Sequence, residues 1–229
     1  MRGRKPAIGF TAMFAAMGIV VFAAPPTRER PHMSSEERAK LTRATVTLVV
    51  KYVARELSLG AEETEKFVKA YVAEREAGEK RLAEARQSGE RRQTWSVYRE
   101  NQKSLQAVLE ANLSPDQVKK AEEILGFSMF PGGLESSVRA LLRAEVAEKK
   151  MNKALPVLVK HHQQERDLFR KAFSTKEITR EQFRTKREEM REATVEKLGD
   201  IVGEKAADAW KEGTAFRERA PRRRRQSDQ

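Results

Sequence analysis

The chain has 229 residues, with 46 Lys+Arg against 34 Asp+Glu for a formal charge of +12, and 35% of its residues are charged. That is well above the roughly 25% of an ordinary soluble domain, and with 12 Gly and 8 Pro it points to long helices with sparse apolar stripes rather than a sheet-rich enzyme. The absence of Cys excludes disulfide scaffolds, thiol catalysis, Cys-ligated zinc and a lipoprotein anchor.

Arg2, Arg4 and Lys5 precede an uncharged run from Ala7 to Ala23, which ends in Val21-Phe22-Ala23. This is the three-part pattern of a secretory signal, with cleavage expected after Ala23 and a periplasmic or secreted mature chain. The alternative is an uncleaved membrane anchor over residues 7–23, although the run falls short of the roughly 20 residues that span a bilayer. Residues 24–33 then read as a Pro-rich, charged linker, extended and disordered.

A helical domain is expected over 34–213. Ser34 with Glu37 forms a capping box, and Leu41, Leu48, Tyr52 and Leu57 follow near one helical face. The stretch TVTLVVKYV (45–53) is rich in β-branched residues, so a strand competes there, but no partner strand is evident and helix is favoured. From Ala61 to Ala111 one long helix is expected, about 75 Å at about 1.5 Å per residue, with a bend or break near Gly89. A short helix from Pro115 to Leu125 leads into a turn, FSMFPGG (127–133). The next helix covers Leu134 to Phe173, with a kink at Pro156. Another runs from Arg180 to Gly199 or Gly203, and a short closing helix from Glu204 to Gly213. Residues 214–229 form a basic tail, expected to be disordered.

One motif recurs. In Leu113-Ser114-Pro115-Asp116-Gln117, Ser114 suits the N-cap, Pro115 the first helical position and Gln117 the reciprocal partner. Ile178-Thr179-Arg180-Glu181-Gln182 repeats this with Thr179 and Gln182, and Gly60 with Glu63 is a degraded third copy. These segments resemble the LTxxQ motif of the periplasmic Spy/CpxP-like family, which includes zinc-resistance-associated relatives. The resemblance covers mainly residues 58–212. Neither copy reads LT, and the chain is longer than the compact members. It implies an all-α fold of long antiparallel helices in an extended hairpin or cradle, often dimeric, with Leu113, Ser114, Gln117, Ile178, Thr179 and Gln182 as structural residues. It also implies ATP-independent chaperoning or envelope-stress binding, sometimes with metal.

A helix from Ala61 to Ala111 cannot bury its whole length in a monomer of this size. Phe67, Tyr71, Trp95 and Tyr98 are therefore the candidate client surface or dimer interface, made attractive to acidic or partly unfolded proteins by the surrounding Lys and Arg. A metal-responsive sensor is the alternative. It would use His161, His162 and Glu165, but the two histidines point about 100° apart on a helix and cannot readily share one ion. A structural coiled-coil envelope protein without a client is the third reading. Arg222–Arg225 suit an anionic envelope surface; the tail lacks the interleaved aromatics of a base-stacking surface, which argues against nucleic acid. No phosphate loop or nucleophile elbow occurs, so neither an enzyme nor a cofactor is expected.

Overall fold

In the computed structural model, Ser34 opens the first helix with its side chain accepting from the Glu37 amide at 3.1 Å while the Glu37 carboxylate accepts from the Ser34 amide at 2.7 Å. The structure describes residues 33–87, 89, 91–126 and 133–214. Among the described residues there are eight α-helices in order: α1 Ser35–Glu56, α2 Ala61–Gln87, α3 Arg91–Asn112, α4 Pro115–Leu125, α5 Gly133–Arg143, α6 Glu148–Phe169, α7 Arg180–Val202 and α8 Glu204–Thr214. There is no strand among the described residues, so the fold class is all-α. The β-branched stretch 45–53 lies wholly within α1 and buries Thr45, Val46, Val49, Val50 and Val53. Its tertiary cover outweighs its local strand preference.

All three motif copies start helices. The Ser114 side chain accepts from the Gln117 amide at 3.5 Å, and Gln117 Oε1 accepts from the Ser114 amide at 2.9 Å. At α7 the corresponding distances are 3.1 Å and 2.9 Å for Thr179 and Gln182. Gly60 has no side chain to offer, and only the return half survives, its amide donating to Glu63 at 2.9 Å. Leu113 is buried behind its cap and Ile178 is half-buried. Thr179→Ala should therefore cost about 1–2 kcal/mol in urea denaturation, and Ser114→Ala, with its longer bond, about 0.5–1 kcal/mol. Equal and negligible losses would show that water replaces both hydroxyls.

The expected long helix from Ala61 to Ala111 is two helices, broken around Gly89, whose φ of +75° suits a residue without Cβ. The two arms are antiparallel. Asn101 Nδ2 donates to the Gly78 carbonyl at 2.9 Å, Asn101 Oδ1 accepts from Arg81 at 2.8 Å, and Arg86 donates to the Tyr98 hydroxyl at 3.2 Å. A Cβ on Gly78 would come within 3.0 Å of the Asn101 side chain, so the glycine permits the close approach.

The helix expected from Leu134 to Phe173 is also broken. Glu145 adopts φ +57° between α5 and α6, where no Gly or Pro marks the stop. Pro156 sits inside α6, which continues across it. The end of α6 widens into a π-helical turn, Arg170–Ser174, closed by the Thr175 amide donating to the Arg170 carbonyl at 3.0 Å. Here α6 and α7 form a second antiparallel hairpin, joined by Glu165 to Arg187 and by His161 to Thr194. α8 closes the domain and runs through Thr214.

The α2–α3 and α6–α7 pairs are antiparallel hairpins within one packed set of helices. α1 packs against α2, α4, α5 and α6, and α8 packs against α5 and α7. One buried cluster draws on every helix: Val50 and Val53 from α1, Phe67 from α2, Leu109 from α3, Ala121 from α4, Leu141 from α5, Leu155 from α6, Leu198 from α7 and Trp210 from α8. The expected signal segment 1–23, all of the expected linker except Met33, the expected turn at 127–132 and the Arg222–Arg225 tail lie outside the described residues. Among the described residues no helix is long and apolar enough to cross a membrane.

Candidate functional site

The four aromatic residues expected on a client surface divide into two pairs. Phe67 is fully buried and Tyr71 is 3% exposed, stacked edge-to-face at 6.0 Å within the core. They are not available to a partner. The sequence shows their stripe on α2, but not that α1 and its neighbours cover it. Trp95 is 70% exposed on the first turns of α3, with Tyr98 one turn on at 6.1 Å between ring centroids. Tyr98 is half-buried and held by Arg86, and Arg99, four residues after Trp95, lies on the same helical face and is exposed. A large apolar ring is thus presented at the end of the α2–α3 hairpin, between arginines. An exposed Trp in that setting offers apolar area, a ring face for cations and an indole N–H to a partner.

Beneath this end lies a cavity of about 110 Å³, lined by Tyr71, Arg75, Tyr98, Asn101 and Leu105 among others. Its charged wall is internally matched. Arg75 makes a two-pronged pair with Glu135 on α5, at 3.2 and 2.9 Å, and a further ion pair with Glu79 at 2.8 Å. Both Arg75 and Glu135 are largely buried, at 17% and 13% side-chain exposure. This pair ties the hairpin to α5.

The histidines form a separate polar network between α5, α6 and α7. His161 Nδ1 lies 2.9 Å from Thr194 Oγ1, and that hydroxyl already donates to the Met190 carbonyl at 2.8 Å. Nδ1 must therefore carry the proton and donate. The ring also packs edge-on to buried Trp210 at 5.1 Å. Next to it, His162 Nε2 lies 2.8 Å from Ser137 Oγ, and His162 Nδ1 lies 3.5 Å from Glu165, which accepts from Arg187 at 2.7 Å. Ser137, His162 and Glu165 thus follow the order of a hydrolase triad. Ser137 is nevertheless fully buried on α5, so no substrate reaches its hydroxyl, and the chain of bonds acts as a bracket between helices. Sequence reasoning did not find Ser137, because its partner lies 25 residues away on another helix.

His161, His162 and Glu165 each face a different protein partner, and among the described residues no group of three acidic, His or Cys side chains could hold a metal ion. Burial, then His162, with Arg187 and Arg191 adding to it, push the His161 pKa down to about 4, against a smaller opposing pull from Glu165. Burial also opposes the Glu165 charge, but His162 and Arg187 outweigh it and bring its pKa down to about 2. Both groups bind protons more readily in the unfolded chain. Stability should be intact above about pH 6.5 and fall towards pH 4 as the unfolded state takes up the His161 proton, with a further loss below pH 4.5 from Glu165. The His161 contribution is on the order of 3 kcal/mol when fully developed. Urea midpoints measured across this range, with His161→Gln flattening the upper part of the curve, test the assignment; a pH-independent midpoint would contradict it.

Comparison with family models, with curated proteins and with solved structures finds no match for this chain.

Proposed function

We propose that the protein is an exported, ATP-independent binding protein of chaperone type, which holds acidic or partly unfolded polypeptides at the end of the α2–α3 hairpin. The observation that carries this reading is the 70% exposure of Trp95 beside Tyr98, Arg86 and Arg99. Long-range attraction to the cationic chain speeds the encounter, and the indole supplies apolar contact that needs no nucleotide to form or release. The LSPDQ and ITREQ helix starts and the n-region with its Ala7–Ala23 run support placement in the Spy/CpxP-like group and export.

The test is aggregation of a model acidic substrate followed by light scattering. The wild-type protein should suppress scattering without ATP, and less so as salt screens exposed charges over about 8–10 Å. Trp95→Ala should lose most of the suppression while unfolding at the same urea concentration. Suppression unchanged in Trp95→Ala would move the binding site elsewhere. A chain that passes from dimer to monomer on this substitution would make Trp95 a self-association contact instead. N-terminal sequencing of the exported chain should begin at Ala24; a start at Met1 in the membrane fraction would favour the anchored form.

A further inference from the structure

The opposite kind of hairpin end, on α6 and α7, carries an aromatic cluster of different composition. Phe169, Phe173 and Phe183 meet there, with ring centroids 4.5 Å apart for Phe169–Phe173, 5.3 Å for Phe173–Phe183 and 6.2 Å for Phe169–Phe183. Phe173 is 39% exposed, and with Trp95 it is one of the two large apolar side chains left open among the described residues. The guanidinium of Arg180 lies 5.9 Å from its ring centroid, so a cation is carried beside the exposed ring. Lys171, Lys176, Arg180 and Arg184 are all exposed on this turn, against Asp167, Glu177 and Glu181, and Asp167 is paired with Arg170 at 3.2 Å.

The backbone holds the turn in one shape. The π-helical turn from Arg170 to Ser174 is followed by Lys176 at φ +56°, and the amides of Glu177 and Ile178 both donate to the Lys171 carbonyl, at 2.8 and 3.4 Å. The Thr179 capping box then fixes the start of α7. An apolar ring and a set of cations are therefore presented together on a preorganised reversal, which lowers the ordering cost of binding.

We infer that the α6–α7 hairpin end docks on an anionic bilayer surface, with Phe173 entering the headgroup region and Lys171, Lys176, Arg180 and Arg184 facing anionic headgroups. Charge complementarity selects an anionic partner. Three phenylalanines without a hydrogen-bonding group suit partition into a lipid interface better than recognition of a polar chain. Each basic side chain near an anionic surface strengthens binding by about fivefold, and the effect decays within a Debye length.

The experiment reads the docking point itself, so that other attachments do not enter. In the full chain, Trp95→Phe removes one indole and Phe173→Trp installs a reporter; the remaining Trp210 is fully buried and gives a constant background. The probe is a vesicle of phosphatidylcholine with about one-third phosphatidylserine, part of the lipid brominated in its acyl chains. The reporter emission should shift to the blue and be quenched by the bromines on these vesicles, and stay unchanged on phosphatidylcholine alone. Lys171→Glu with Arg184→Glu should weaken the response by about tenfold or more, with unchanged circular dichroism. The inference is overturned by a reporter that stays solvent-like on anionic vesicles even when the chain sediments with them. It is equally overturned by an equal response to neutral vesicles, by no effect of the charge reversals, or by the same blue shift on soluble polyglutamate.

Discussion

Replacing Phe67 with Ala is expected to destabilise the protein by about 3–5 kcal/mol, the range for deleting a fully buried aromatic from a packed core. Its ring has no exposed area and packs edge-to-face on Tyr71 within the cluster shared by all eight helices. Trp95→Ala, on the same hairpin, should change stability by less than about 0.5 kcal/mol, because the ring it removes is mostly in water. The two substitutions separate the architectural aromatic residues from the binding one. Urea denaturation of both, side by side, checks the assignment. A small loss at Phe67 would mean that the α2 stripe is open after all and available to a partner.

The second large effect is expected at Arg75. Arg75→Met removes both bonds to Glu135 and leaves that carboxylate largely buried without its counter-charge, which should cost about 3–5 kcal/mol. Glu135→Leu alone should cost less, since Arg75 keeps its ion pair with Glu79 at 2.8 Å. The double variant Arg75→Met/Glu135→Leu should recover most of the loss, because two apolar side chains suit the same space. A double-mutant cycle measures the coupling directly. Additive losses would show that the pair acts through its neighbours rather than across the α2–α5 contact.

Legibility in the sequence followed the range of the interaction. The starts of α1, α4 and α7 were readable because a capping box closes within four residues, and the Gly89 break because glycine tolerates a positive φ. The break at Glu145 was not readable. A non-glycine residue occupies the left-handed region there, and the Val146 amide bonds back to the Leu141 carbonyl at 3.2 Å, a local closure that composition does not announce. Pro156 lies inside α6, as its place in the helical stretch implies, while the break falls at Glu145. The candidate surface was half legible. Helical spacing placed Phe67, Tyr71, Trp95 and Tyr98 on apolar stripes, but which stripe is covered depends on helices far away in the chain. The Ser137–His162 bond and the Arg75–Glu135 pair, separated by 25 and 60 residues, belong to the same class of tertiary facts.

The central place of α1 has a consequence for biosynthesis. Each hairpin closes on contacts between neighbours in sequence, so it can form soon after its second arm is made. α1 is made before all of them, yet it takes part of its cover from α5 and α6. Its valine-rich segment therefore waits for roughly a hundred further residues, on the order of 5–20 s at about 5–20 residues per second. During that interval TVTLVVKYV is a β-prone, nearly uncharged window still lacking the part of its cover that α5 and α6 supply, the kind of segment that pairs with copies of itself. The nascent chain is consequently most vulnerable to self-association through α1, and slower elongation between α1 and α6 should lower the soluble yield.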